Sequence, residues 1–256
     1  MKKQSVLLML LAVLFTASVT TSCSKSKDKP KDDEEQPGGG NNNPNLSKYL
    51  QGSDYYLISL DETSKKNIEA KVKKDYRTDD VNTHLYIWAA GETYTAGTSS
   101  GPNAFGEVEG WTSLIVAAPD GWSGLGFQNG GSIDFTGLTD SHVLHFAMKS
   151  KDQASHQIIL YDKNTSAAAK FTIGAAGNAI DGINPSNNLT VDGVANQSNF
   201  ARDGEWHHIE IPFSTIKLQG VKYASVITDD NMMAILSGGT PGVTLDIDGI
   251  FFYKPK

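Results

Sequence analysis

Trp88, Trp111 and Trp122 fall within 35 consecutive residues, in a stretch shared with Glu92, Tyr94, Asn103, Glu107 and Glu109; Tyr86 precedes it and Asn129 follows. Flat indole and phenol rings stack on the apolar C–H faces of sugar rings, while carboxylate and amide neighbours bind the hydroxyls around the edge. The glycines of Trp122-Ser123-Gly124-Leu125-Gly126 would let such a ligand approach the backbone closely. The chemistry these residues suit is binding, through a stacking platform.

Bond-breaking chemistry finds less support. Glu107 and Glu109 are two apart but sit in a glycine-bounded stretch, and no E-x-D-x-x-E pair is present. Gly97-Thr98-Ser99-Ser100-Gly101 fits G-x-S-x-G, yet lacks the apolar strand before it and the helix after it that a nucleophile elbow needs. His207 and His208 are adjacent, so on a strand they face opposite ways and cannot chelate one metal together. With a net charge of −7, the chain is a poor match for duplex DNA.

The elements that must hold the platform read as strands. Short alternating or β-rich runs occupy residues 55–60, 84–89, 112–117, 121–128, 132–135, 142–149, 157–161, 169–173, 206–212, 232–237 and 244–253, and the charged segment 63–74 reads as either a helix or a strand and a loop. Without repeats or an internal linker, they predict one all-β domain, an antiparallel β-sandwich of the jelly-roll type, over residues 48–256. Alternation sends Leu85, Ile87, Leu125, Phe127, Leu144, Phe146 and Met148 to the core. The same alternation turns Tyr86, Trp88, Trp122, His145 and Lys149 away from it. Those five, with Trp111, Glu92 and Asn129, form the expected ligand-binding set.

Residues 1–22 have the layout of a secretory signal: Lys2 and Lys3, an apolar run too short to span a bilayer, then small residues. Cys23, the single cysteine, follows directly. Removing the signal takes away both lysines and no acid, shifting the charge from −7 to −9. Residues 23–47 hold no apolar cluster able to seed a core and read as a disordered acidic, Gly- and Asn-rich tether.

Thr20-Thr21-Ser22-Cys23 resembles a bacterial lipoprotein box, which implies lipidation of Cys23 and attachment to a membrane without a spanning helix. Asp32-Asp33-Glu34-Glu35 resembles the acidic export signal of Bacteroidetes surface lipoproteins. Asp203-Gly204-Glu205-Trp206-His207-His208-Ile209-Glu210-Ile211-Pro212 and the closing Thr244–Tyr253 stretch resemble strands of β-sandwich carbohydrate-binding modules, where Trp206 would be structural. Together these features resemble the surface glycan-binding lipoproteins that accompany outer-membrane polysaccharide importers. The resemblance implies an outer-membrane, surface-exposed location, a neutral polysaccharide or oligosaccharide ligand, and an importer as partner. It also implies a structural calcium held by Asp246 and Asp248, two apart on one strand face, completed from Asp54, Asp61 or Glu62. No other cofactor is expected. A carbohydrate-active sandwich enzyme and a structural or adhesive surface lipoprotein remain as alternatives to a non-catalytic binder.

Overall fold

The computed structural model describes residues 46–77, 83–89, 96–97, 102–108, 112–115, 122–174 and 189–256, with backbone alone described at 83–89, 96–97, 112–115, 122–123 and 228–230. All lie within one compact unit, Gly40–Lys256. The signal segment, Cys23 and all of the tether but its last two residues lie outside them. In chain order the strands are β1 (Ser53–Ser59), β2 (Val72–Asp75), β3 (Thr83–Ala89), β4 (Ala96–Gly97), β5 (Thr112–Ile115), β6 (Trp122–Ile133) and β7 (Val143–Ser150). They continue as β8 (His156–Asp162), β9 (Ala167–Ile173), β10 (Leu189–Val191), β11 (Val194–Gln197), β12 (His207–Pro212), β13 (Ile227–Gly238) and β14 (Thr244–Lys254). Two short helices, α1 (Glu62–Ile68) and α2 (Phe213–Leu218), complete the set with single 3₁₀ turns.

Among the described residues the strands form two sheets. The larger runs β11-β10-β12-β7-β14-β1-β2, with β5 also on β14 and β4 on β5; the smaller runs β3-β6-β13-β8-β9. One core lies between them. Leu144, Phe146 and Met148 of β7, Ile209 and Ile211 of β12, and Leu245 and Ile247 of β14 meet Leu125 and Phe127 of β6, Ile158 and Leu160 of β8, Phe171 of β9 and Ile235 of β13. This is the expected all-β sandwich, and the inward residues of β6 and β7 are those that alternation selects. Each such side chain contributes roughly 1.5–3 kcal/mol on leaving water.

Three expectations are resolved or corrected. The segment 63–74, open between helix and strand, holds both: helix to Ile68, and after a 3₁₀ turn Val72–Asp75 as β2, paired parallel to β1. A partner strand supplied by the tertiary fold outweighs a weak helical pattern. The runs at 121–128 and 132–135 belong in large part to a single strand, β6. The β10–β11 hairpin is absent from the expected strands, although its signal is present: Asp192-Gly193, both at positive φ, join Val191 to Val194.

One irregularity shapes the outer face of the larger sheet. In β14, Leu245 and Ile247 face the core, but so do Ile250 and Phe252. The phase shift is a bulge at Asp248-Gly249, where the pairing with β7 breaks register and Gly249 adopts φ +57. It turns Phe251 and Tyr253 onto the outer face, into a second apolar cluster with Tyr49, Leu50, Tyr55, Leu57 and Ile68.

Candidate functional site

The outer face of the smaller sheet is built from rows of cross-strand neighbours. One row runs Trp88–Gly124–Leu236–Gln157–Thr172 and the next Tyr86–Gly126–Ala234–Ile159–Lys170. At about 4.8 Å between strands, each row crosses roughly 19 Å. Gly124, Gly126 and Ala234 carry little or no side chain, so the floor is low between the β3 positions and Gln157 and Ile159 on β8. Of the ten positions, Lys170 alone is charged, and it is exposed. Gln157, Ile159 and Thr172 are buried, whereas Leu236 is partly open. By composition this face offers apolar contact and neutral hydrogen-bonding groups rather than charge.

Tyr86, Trp88 and Trp122 thus hold outer-row register positions on adjacent strands; their side chains, and all of Trp111 and Glu92, lie outside the described residues. Asn129 does not join them. It shares the parity of the core-facing Phe127, is 4% exposed, and its Oδ1 accepts the Gly131 N–H at 2.7 Å. The register also brings in Ile159, Leu236, Gln157 and Lys170, which sequence reasoning missed. Alternation in Gln157–Tyr161, where Ile158 and Leu160 are core, already places Gln157, Ile159 and Tyr161 outward.

His145 and Lys149 belong to the other sheet, so the single face expected for all these residues is two faces. Alternation tells inside from outside correctly but not which layer a strand joins. His145 is fully buried beneath Tyr49, Phe105 and Phe251. Its Nδ1–H donates to Gly249 O at 2.7 Å, leaving Nε2 to accept from His208 Nδ1 at 3.0 Å. Burial, and then His208 itself, hold His145 well below the ordinary histidine range. His208, stacked on Tyr49, is pushed down to about 4, chiefly by burial. Both rings are therefore neutral at neutral pH, structural pieces of a covered layer. Its neighbour His207 turns elsewhere, to Asp192 and Asp203 at 2.7 and 2.9 Å, so the adjacent histidines do diverge as expected.

The carboxylates of β14 share an outer face, yet they separate in partners. Asp246 pairs with Lys149 at 3.0 Å. Asp248, fully buried, accepts the Ala104 N–H at 3.0 Å on Oδ2, while its Oδ1 has no hydrogen-bond partner among the described residues. Asp61 lies beside it, capping α1 through the Ser64 N–H at 2.6 Å and accepting from Asn103 Nδ2 at 3.0 Å. Burial, and the nearby Asp61 charge, raise Asp248 to about 7. Asp54 and Glu62 are engaged by Lys254 and Arg77. Of these carboxylates, Asp248 alone has a buried oxygen without a hydrogen-bond partner among the described residues. Among the described residues no group of three or more His, Cys, Asp or Glu is placed to hold a metal.

Trp206 donates its indole N–H to Pro102 O at 3.0 Å and so ties down the loop carrying Asn103 and Phe105. No helix among the described residues is long and apolar enough to cross a membrane.

The family model described as carbohydrate binding domain 30 matches residues 55–252. No curated protein matches the chain. Among solved structures, the chain is similar to the family 30 carbohydrate-binding module of a cellulosomal cellulase of Clostridium thermocellum (15% identity, 66% of this chain and 86% of that one, TM-score 0.39). It is also similar to a family 11 module of the same organism in complex with a β-1,3-1,4-mixed-linked tetrasaccharide (14%, 68% and 89%, 0.35). A third similarity is to an exo-β-agarase (16%, 69% and 24%, 0.40).

Proposed function

The chain belongs to the carbohydrate binding domain 30 family, and on that footing we propose that its smaller sheet binds a neutral oligosaccharide or polysaccharide without cleaving it. The observation that carries the reading is the outer face itself: aromatic positions on β3 and β6 flanking a floor of Gly124, Gly126 and Ala234, with one charge in two rows. Low floor and aromatic edge suit a flat chain of sugar rings lying across the strands, stacked on the Trp88 and Trp122 positions. Lack of charge favours neutral sugars over sulfated or phosphorylated ones.

The test is titration with cello- and mixed-linkage β-glucan oligosaccharides, read by calorimetry. Trp88→Ala is expected to weaken binding tenfold or more, about 1.4 kcal/mol or above, as for a buried aromatic anchor. Gly126→Val should do the same by filling the floor. Wild-type affinity in either variant would refute the site; release of reducing ends by the wild type would refute non-catalytic binding.

The proposal extends to location. Acylated Cys23 would anchor the protein at the outer membrane, with residues 24–47 as the spacer that presents the sandwich at the surface beside a glycan importer. Thr20-Thr21-Ser22-Cys23 and the acidic run after it support this. Palmitate labelling in the native host should be lost in Cys23→Ser, and the protein should then leave the membrane fraction. Labelling that survives the substitution would exclude the anchor. Calcium, in the same proposal, is held at Asp248 and Asp61, where the buried Oδ1, unpartnered among the described residues, supports an oxygen-ligated cation.

A further inference from the structure

The outer face of the larger sheet is covered by Tyr49, Leu50, Ile68 and Phe105 over β1, β14 and the middle of β7. At the far ends of β7 and β14 that cover stops. There a cavity of about 340 Å³ opens between two turns, lined by Lys149, Lys151, Gly204, Gly242, Thr244 and Asp246. Its size falls within the range of small-ligand sites. It belongs to the sheet opposite the proposed glycan face.

The charges in this cavity are specific. Lys149 is matched by Asp246 at 3.0 Å and lies over the partly exposed Trp206 ring, 4.7 Å from its centroid. Lys151 is exposed and makes no ion pair among the described residues. Its stem is held against Gly204, where an added Cβ would lie 2.5 Å from Lys151 Cε. Gly242, on the opposite wall, faces open space, with nothing within 4 Å of an added Cβ. The cavity therefore presents one cation without an ion pair among the described residues, with a carboxylate and a threonine in its wall, in a chain whose net charge is −7.

We propose that this cavity is a second ligand site, for a sugar acid carrying a single carboxylate. Lys151 takes the carboxylate, and Asp246 and Thr244 take ring hydroxyls. A dianion such as a phosphate monoester is disfavoured, because the Asp246 carboxylate stands in the wall and Lys149 is already matched to it. The site lies beyond the neutral-glycan reading and shares no residue with it.

Galacturonate, which carries one carboxylate, and its neutral methyl ester are the probes, monitored by amide chemical shifts of the full chain at low salt. Galacturonate should shift Lys151, Val243 and Thr244 in a saturable manner, with the ester about fivefold weaker or worse. Lys151→Gln should lose the same factor, Lys151→Arg should retain binding, and high salt should weaken it. Trp88→Ala, which removes the proposed neutral-glycan platform, should leave it unchanged, so the two readings fail separately. Equal binding of acid and ester, undiminished binding by Lys151→Gln, or shifts that do not saturate by about 20 mM would overturn the proposal.

Discussion

Replacing Gly249 by alanine is expected to destabilise the protein by about 2–5 kcal/mol. Two costs add. At φ +57 a side chain crowds the following carbonyl, worth roughly 1–2 kcal/mol. The added Cβ would also lie 2.6 and 2.8 Å from two atoms of the Phe105 ring, and overpacking of this kind costs about 1–3 kcal/mol. Phe105 cannot retreat freely, because it stacks on Phe251 and packs beside His145 and His208 in the covered layer. Gly106→Ala is the control. Its φ is +90, but nothing lies within 4 Å of the added Cβ, so it carries strain without the clash. Urea midpoints should order wild type, Gly106→Ala and Gly249→Ala from most to least stable. If the two variants match, the bulge does not depend on contact with Phe105.

The second large effect runs the other way and depends on pH and calcium. Asp248 is raised from 3.8 to about 7 by burial and by Asp61, so the fold favours its neutral form. Its contribution to stability is full below pH 3.8 and is lost as pH rises through 7. At pH 8 the buried carboxylate then costs on the order of 4 kcal/mol, less whatever local relaxation recovers. Asp248→Asn cannot ionise and keeps an oxygen for the Ala104 N–H. In chelator the variant should be more stable than wild type at pH 8 by about 2–4 kcal/mol, and the gap should close toward pH 4. Saturating calcium should raise the wild-type Tm and leave the variant unmoved, reversing their order. A gap that ignores pH would mean that Asp248 is not buried as described. A wild type indifferent to calcium would remove the cation from the proposal.

Much of the scaffold is legible in advance because a strand in a sandwich writes its environment into its own sequence. Leu144, Phe146 and Met148 alternate with His145, Ala147 and Lys149, and the core takes the first three. Period-two patterning is local, so it survives without knowledge of partners. The β10–β11 hairpin escapes such a reading because Val194–Gln197 is an exposed edge strand with little apolar content, and only its Asp192-Gly193 turn gives it away. Val72–Asp75 stays open between helix and strand in the sequence because four charged or branched residues choose between the two only when β1 lies alongside.

The candidate site divides along the same line. Composition and spacing alone put aromatic residues at alternating positions of β3 and β6, set the two adjacent histidines on opposite sides of their strand, and place two carboxylates on one face of β14. Which residues share a surface was decided by the tertiary structure. Alternation defines a side relative to one strand, and a sandwich has two outer sides, so His145 and Lys149 parted from Tyr86 and Trp88. The meeting of Asp248 with Asp61, and of Lys149 with Asp246 beside Trp206, needs strands far apart in the chain to pair in register. Non-local pairing is set by how a whole core closes, and no short stretch of sequence encodes it.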